Sequence, residues 1–442
     1  MFPRSRVPPF PCVMKTEVDL LIVHAGQLLT LAGPNDRPRT GTALGDLAII
    51  SDGAVAAADG VIVAVGPTVQ VRDEVTPGPG GEVIDAGGRA VVPGFVDPHT
   101  HLIFAGSRAE EFEMRLGGAT YQQISHAGGG ILSTMRATRA AGEDELLDLG
   151  RQRLDRLLAH GTTTVEAKSG YGLTVDDELK CLRAAHRLSA AHDVDLIPTF
   201  LGAHAVPPEH GHDPDAYVRL VVEEMLPAVA DEDLAEFCDV FCEAGAFTPE
   251  QSRAVLEAGL GAGLDPKIHA DELSDLGGAA LAADLEAVSA DHLLCASDNG
   301  LQAMADAGTM AVLLPGTALF LGLPYARARR MVDLGVPVAL GTDFNPGTSP
   351  TWSMPMIIAL ACLGMRLTPA EAITAATINA AHAVAMAEEV GSLEPGKAAD
   401  AVVLDLTDYR HLPMHFGVNP VHTVVKRGQL VYQAGRGLRR PA

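Results

Sequence analysis

The chain lacks any apolar run of about 18 residues, the length at which a transmembrane helix is suspected. Basic residues are also scarce. There are 32 lysines and arginines against 56 aspartates and glutamates, which gives a formal charge of −24. Because so negative a surface repels phosphates, we expect no nucleic-acid partner and no anionic membrane partner. A small anionic substrate stays possible, since a few buried arginines can make the electrostatic potential of one pocket positive.

The cysteines lack the regular spacing of a disulfide framework, which indicates a reducing compartment and predicts a cytoplasmic protein. Two of them, Cys238 and Cys242, flank an apolar stretch typical of a β-strand, so we predict small buried side chains rather than a redox pair. Residues 1–17 lack the apolar core of a signal peptide and hold four prolines and two arginines. We expect a disordered leader there, or a true start at Met14. The six cysteines are Cys12, Cys181, Cys238, Cys242, Cys295 and Cys362.

Short β-strand patterns fill both ends of the chain. The pair Asp59-Gly60 stands between two apolar runs, and this predicts a hairpin with a type I′ turn. Similar apolar runs return after residue 395. Neither end is large enough to bury a core alone. We therefore predict one small β-sandwich domain built from residues 18–90 and 395–442.

Between these ends, residues 91–394 show strand patterns that alternate with helical ones, such as 145–160 and 175–191. Eight such units over about 250 residues are the size and rhythm of a (β/α)8 TIM barrel, which carries its chemistry at the C-terminal ends of the strands. Polar residues stand at those ends here. The eight apolar runs end near Asp97, Lys168, His204, Glu243, Glu272, His292, Pro315 and Asp343.

Histidines at strand ends indicate a metal centre. His99 and His101 close the first barrel strand, and alternate residues of a strand face the same side. His269 lies on the fifth strand, and Asp343 ends the apolar run of the eighth. Three imidazoles and one carboxylate suit a single zinc or iron ion with a position open for water. The alternatives are a pair of surface histidines and, for Asp343, a helix cap.

The longer strings around these residues resemble the amidohydrolase superfamily and, within it, the imidazolonepropionase family. The resemblance runs from about residue 19 to residue 435. It implies hydrolysis of the cyclic amide of 4-imidazolone-5-propanoate to N-formimidoyl-L-glutamate, a step of L-histidine degradation. The strings are PGFVDPHTH (93–101), HLIFAGSRAEEF (101–112), EAKSGYGL (166–173), FLGAH (200–204), KIHADE (267–272) and TDFNPGT (342–348).

The resemblance also implies the roles of individual residues. It implies one zinc or iron ion per chain, no organic cofactor, a small-molecule substrate and a homodimer. The implied metal ligands are His99, His101, His269 and Asp343. The implied substrate contacts are Arg108, Tyr171, His204, Glu272, Asn345, Gly347 and Thr348.

The predicted mechanism uses one metal-activated water. Asp343, helped by His292, accepts a proton from that water, and Glu272 protonates the ring nitrogen as the C–N bond breaks. One alternative is a related mononuclear-metal deaminase of an aromatic base such as guanine or cytosine. It would share the ligands but has no carboxylate for Arg108 to bind. A scaffold without catalysis is a third possibility, against which the complete ligand set argues.

Two of the implied substrate contacts, Arg108 and His204, also have simpler interpretations. Arg108 suits a propionate, because a guanidinium binds a carboxylate through two hydrogen bonds, but it could instead pair with Glu110 or Glu111. Tyr171 lies in a Ser-Gly-Tyr-Gly turn, where a bulky core residue would be out of place. His204 could bind a ring carbonyl or be a structural histidine.

A second metal ion is not expected. Some members of the superfamily bind two ions through a carboxylated lysine at the end of the fourth strand, but that strand here ends in Cys242-Glu243. The nearby Lys168 ends the second strand. We therefore predict a supporting role for Lys168 and keep Glu243 as the alternative ligand of a second ion.

Overall fold

The computed structural model describes residues 15–119, 123 and 128–439. It contains two β-sheets and the helices around them. Most of the predicted leader, and Met14 with it, lies outside the described residues, although residues 16 and 17 already belong to the first strand. The strands are β1 (Thr16–Leu29), β2 (Ile49–Ala58), β3 (Val61–Pro67), β4 (Val75–Asp85), β5 (Ala90–Pro93), β6 (Phe95–Asp97), β7 (Thr162–Lys168), β8 (Asp195–Ala203), β9 (Phe237–Cys242), β10 (Asp265–Ala270), β11 (Ser289–His292), β12 (Met310–Leu313), β13 (Val338–Leu340), β14 (Ala401–Leu404), β15 (Val421–Lys426), β16 (Gln429–Gln433) and β17 (Gly437–Leu438).

The two ends of the chain share one sheet of nine strands. Its order is β17-β16-β15-β14-β5-β1-β2-β3, and β4 pairs with β1. Residues from both ends, among them Leu20 and Val403, belong to one apolar cluster. The predicted type I′ hairpin is confirmed, because Asp59 and Gly60 between β2 and β3 have φ values of 51° and 79°. The residue limits of the two domains stay predictions.

The middle of the chain forms the predicted parallel barrel. Its eight strands, β6 to β13, pair in chain order, and every predicted strand end lies within a few residues of an observed one. The barrel closes between its first and last strands, where the N–H of His101 donates to the carbonyl of Phe344 at 2.9 Å. The TIM-barrel prediction is therefore confirmed.

Helices surround the barrel and bury their apolar faces against it in one large core. No helix in the described ranges is long and apolar enough to cross a membrane. The α-helices are Thr68–Glu74, Ala109–Leu116, Ile131–Ala140, Glu143–Ala159, Val175–Ser189, Pro214–Leu220, Leu226–Asp231, Pro249–Gly261, Gly278–Asp284, Asp298–Ala307, Pro315–Leu321, Ala328–Leu334, Met354–Met365, Pro369–Ala375, Ile378–His382 and His411–Met414. A π-helical turn, Val221–Met225, joins two of them, and 3-10 turns lie at Gly41–Gly45 and Pro208–His210.

Candidate active site

Closure of the barrel brings the ligand-bearing ends of β6 and β13 together. The carboxylate of Asp97 accepts hydrogen bonds from the N–H and the hydroxyl of Thr342, at 2.9 and 2.6 Å. Just beyond, the N–H of Asp343 donates to the carbonyl of His99 at 2.9 Å. Residues far apart in sequence therefore meet at one seam, at the C-terminal end of the barrel.

Four donor atoms converge at this seam. His101 Nε2 lies 3.4 Å from His269 Nε2 and 3.6 Å from Asp343 Oδ1. His99 Nε2 lies 3.5 Å from the same carboxylate oxygen. A tetrahedral ion with bonds of about 2.0–2.2 Å holds its ligands about 3.3–3.6 Å apart. The spacing of the donors therefore fits a single ion of that size.

The chemistry of the donors also fits a metal ion. Nε2 of His99 is buried and has no hydrogen-bond partner in the described part of the chain. A buried polar atom without a partner is costly, and a metal ion at the centre of the four donors would remove that cost. Asp343 is held by the hydroxyl of Thr317, which donates to its second oxygen, Oδ2.

Two aspartates, on the strands at either side of β10, orient the imidazoles. Asp291 Oδ2 lies 2.6 Å from Nδ1 of His99, and the Asp239 oxygens lie 3.0 and 3.2 Å from Nδ1 of His269. Because Nδ1 then carries the proton, the Nε2 lone pair is free for a metal. The sequence reasoning missed both aspartates. For Asp239, the available signal was a charged residue within the otherwise apolar strand β9.

Burial keeps two of the ligand imidazoles neutral. Burial, followed by the charges of nearby lysine and histidine side chains, lowers the pKa of His99 and of His101 well below the ordinary range. For His269, burial acts to lower the pKa, but the Asp239 carboxylate outweighs it and the pKa rises. The same negative charge would favour a metal cation on Nε2.

Glu272 is placed to hold a proton beside the four donors. Burial raises its pKa to about 8, and the negative charge of Asp343 adds to the rise. Its Oε1 lies 3.6 Å from Nδ1 of His292, the histidine predicted to assist Asp343. A carboxyl group that stays protonated near neutral pH is suited to act as a general acid.

Lys168 and Glu243 both have structural partners. Lys168 is fully buried, and its ammonium donates to Asp239 at 2.7 Å and to Glu166 at 2.9 Å. The Glu243 carboxylate accepts from the N–H of Leu273 at 2.8 Å and from Ser274. Glu243 thus supports the loop that carries Glu272. These contacts support the prediction of a single metal ion.

Tyr171 and His204 form an aromatic wall beside the donors. The ring of His204 stacks on that of His101 with centroids 4.9 Å apart, and the Tyr171 ring lies 5.8 Å from His101. Nδ1 of His204 lies 3.0 Å from the carbonyl of Gly170, so its other nitrogen stays free for a ligand. The two rings are inclined at 58° to each other, with centroids 5.4 Å apart, so they form an angled, half-polar wall.

A buried carboxylate shapes the turn that carries Tyr171. Glu178, on the helix Val175–Ser189, accepts from the N–H groups of Gly170, Gly172 and Leu173 at 2.9, 2.7 and 2.7 Å. Leu173 has a φ of 57°. Non-glycine residues adopt this conformation only when the surroundings impose it, and Glu178 supplies that constraint.

We expect Glu178→Gln to lower the free energy of unfolding by about 1–3 kcal/mol, because the amide cannot accept from all three N–H groups as a carboxylate does. Chemical denaturation would measure the change. Glu232→Gln is the control, since it breaks an exposed pair with Arg183 and should leave the midpoint unchanged. An equal, small change in the free energy of unfolding of both variants would show that the turn does not depend on Glu178.

Arg108 reaches the same end of the barrel from the loop after β6. Its Nε and Nη2 donate to Glu111 Oε2 at 3.0 and 2.8 Å, so the ion pair considered as an alternative does form. The guanidinium is largely buried, however, and Nη1 makes no hydrogen bond within the described residues. A Cβ at Gly347 would lie only 1.8 Å from Nη1. Arg108 therefore packs on the turn that follows Asp343.

That turn is held by Asn345. Its amide nitrogen donates to the carbonyl of Asp343 at 2.7 Å and to Thr348 Oγ1 at 2.8 Å. Its amide oxygen accepts from the N–H groups of Gly347 and Thr348 at 2.8 and 2.7 Å. All four hydrogen-bonding positions of this side chain are occupied. Asn345 thus shapes the turn, and its own contact with substrate stays a prediction.

Known proteins share both the sequence and the fold of this chain. The Amidohydrolase family matches residues 90–431. An imidazolonepropionase from Symbiobacterium thermophilum is 59% identical over 425 residues, which are 96% of this chain and 99% of that protein. The chain belongs to the imidazolonepropionase family. A second member, from Geobacillus kaustophilus, is 56% identical over 94% of this chain and 99% of its own.

Membership of this family makes the chain an amidohydrolase, and with the four donors it indicates a metal ion. A crystal structure of an adenosine deaminase from Xanthomonas campestris with bound zinc superposes with a TM-score of 0.71. It covers 97% of this chain and 96% of its own, at 19% identity. An identity this low shows the fold alone, so it lends no support to the deaminase alternative.

Proposed function

We propose that this chain hydrolyses the cyclic amide of 4-imidazolone-5-propanoate to N-formimidoyl-L-glutamate in L-histidine degradation. The observation that carries the proposal is the 59% identity with an imidazolonepropionase over nearly the whole of both chains. The test is to add the imidazolone to purified protein and to follow the loss of the ring chromophore. A protein that contains its metal but leaves the chromophore unchanged would contradict the proposal.

We propose one zinc or iron ion per chain, held by His99, His101, His269 and Asp343. Held by these residues, such an ion would supply the Lewis acidity that makes a bound water nucleophilic and a carbonyl electrophilic. Three imidazoles and one carboxylate suit either metal. The proposal is supported by donor spacings of 3.4–3.6 Å and by the unpartnered Nε2 of His99.

The side chains of the site divide the proton transfers between them. The carboxylate of Asp343, with His292 beside it, accepts a proton from the attacking water. Glu272 holds a proton, because burial raises its pKa to about 8, and delivers it to the ring nitrogen as the C–N bond breaks. This assignment gives the base and the acid to two different carboxyl groups, whose environments separate their pKa values.

The propionate is proposed to bind beside the place where Arg108 packs on the 345–348 turn. Nη1 of Arg108 has no hydrogen bond in the described ranges and faces Gly347, so this end of the guanidinium is free to donate. Thr348 contributes a hydroxyl nearby. The ring would then lie against Tyr171 and His204, which flank the donors.

Arg108→Met should raise KM by roughly ten- to a hundredfold while the metal stays bound, because loss of a charged hydrogen-bonding partner costs about 1.5–3 kcal/mol. Steady-state kinetics and metal analysis would measure both. Arg115→Met is the control, since Arg115 lies on the helix Ala109–Leu116 that directly follows Arg108, and its guanidinium lies over the Phe320 ring at 4.5 Å. Equal KM values for both variants would show that the propionate of the substrate binds elsewhere.

We also propose a cytoplasmic homodimer, as the family resemblance implies. The absence of a disulfide framework supports the reducing compartment. Sedimentation of the purified protein would measure the assembly, and a mass equal to one chain would contradict it.

A further inference from the structure

The barrel interior beneath the four donors is charged rather than apolar. Burying charges is costly unless each has a partner of opposite sign. A buried cluster of charges therefore suggests a functional role. Here carboxylates and ammonium groups alternate on strands β7, β9, β10 and β11. The cluster consists of Glu166, Lys168, Asp239, Lys267 and Asp291, all with no exposed surface.

One member contacts both aspartates that orient the ligand imidazoles. Lys168 Nζ lies 2.7 Å from Asp239 Oδ2 and 3.4 Å from Asp291 Oδ2. Asp239 holds Nδ1 of His269, and Asp291 holds Nδ1 of His99. A single ammonium group is therefore one contact away from two of the proposed metal ligands.

We propose that Lys168 is a positioning residue of the metal centre. Two carboxylates that touch the same ammonium are near neighbours, and without the cation they repel each other in a medium of low dielectric constant. Either side chain could then rotate away from its imidazole. Lys168 holds both in place, so that the Nε2 atoms of His99 and His269 face the centre. This inference rests on the metal site proposed above.

The other buried lysine provides a matched comparison. Lys267 Nζ lies 2.8 Å from Glu166 Oε2, 3.0 Å from the carbonyl of Ala383 and 3.3 Å from that of Pro98. It is as buried as Lys168, but among the described residues it has no ion pair with either aspartate. Loss of Lys267 removes the same charge from the same interior but takes no direct contact from either aspartate.

The experiment titrates metal-free protein with Zn²⁺ and, separately, with Co²⁺, whose visible absorption reports the geometry of its ligands. We expect Lys168→Met to weaken binding of both ions about 10–100-fold, the usual effect of losing a group that supports a metal ligand. The Co²⁺ spectrum should change as well. Lys267→Met should bind both ions nearly as the parent does, with the parent's spectrum.

A second variant covers the case in which Lys168→Met does not fold. Lys168→Met combined with Glu166→Gln removes one charge of each sign, and it should fold yet show the same loss of affinity and the same altered spectrum. Parent-like affinity in either folded Lys168 variant would overturn the proposal. Equal losses in Lys168→Met and Lys267→Met would also overturn it, because they would indicate general destabilisation. A parent protein that binds neither ion would instead contradict the metal site itself.

Discussion

Replacing Glu272 with glutamine is expected to lower kcat by about 10²–10⁴-fold, the usual contribution of a general acid. Glutamine keeps the shape and the hydrogen-bonding reach of the side chain, but it cannot carry the proton. An amide nitrogen is a poor leaving group unless it is protonated. Metal content and folding should not change, because Glu272 lies beyond the four donors.

Steady-state kinetics, metal analysis and circular dichroism would test this expectation together. Glu236→Gln is the control, since Glu236 is exposed and immediately precedes β9, at the opposite end of the barrel, and should keep the parent's kcat. A near-normal kcat for Glu272→Gln would leave Glu272 a binding or structural role. Loss of the metal from this variant would show that the ligand set is wrong.

The second large effect concerns the metal itself. The parent should contain close to one tightly held ion per chain, and His269→Ala should lose both the ion and the activity, because it removes one of four ligands. Metal analysis of the purified proteins measures this directly. His204→Ala is a demanding control, since its ring stacks on that of His101 but it is not one of the four proposed ligands, and this variant should keep the ion. Two tightly held ions in the parent would contradict the proposed centre.

The fold was predictable from sequence because its signals are local. Strands alternate with helices in a regular rhythm, and the strand ends follow from where each apolar run stops. His99 and His101 lie just past the end of β6, and their convergence was expected from the two-residue period of an extended chain. Local conformation was accessible for the same reason, as the Asp59-Gly60 hairpin shows.

The support beneath the proposed site was not predictable, because it depends on contacts between distant strands. Asp239 and Asp291 are single charged residues within short strands, and nothing nearby in sequence says which imidazole each one faces. The register of the strands and the closure of the barrel decide that. Lys168 shows the same limit. Sequence suggested a supporting role for it, but only the fold reveals that it contacts both aspartates.

The sheet shared by the two chain ends also imposes an order on folding. β5 pairs with β14, so one ladder joins segments that are separated by the entire barrel. As the chain leaves the ribosome, β1 to β5 emerge first. Their apolar faces stay incompletely buried until the last strands have been synthesised. Such non-local pairing is slow, and unpaired strands aggregate readily. In a chain that ends within the barrel, β1 to β5 can pair with one another, but β5 has an open edge where β14 should pair, which makes the chain a target for chaperones and proteases.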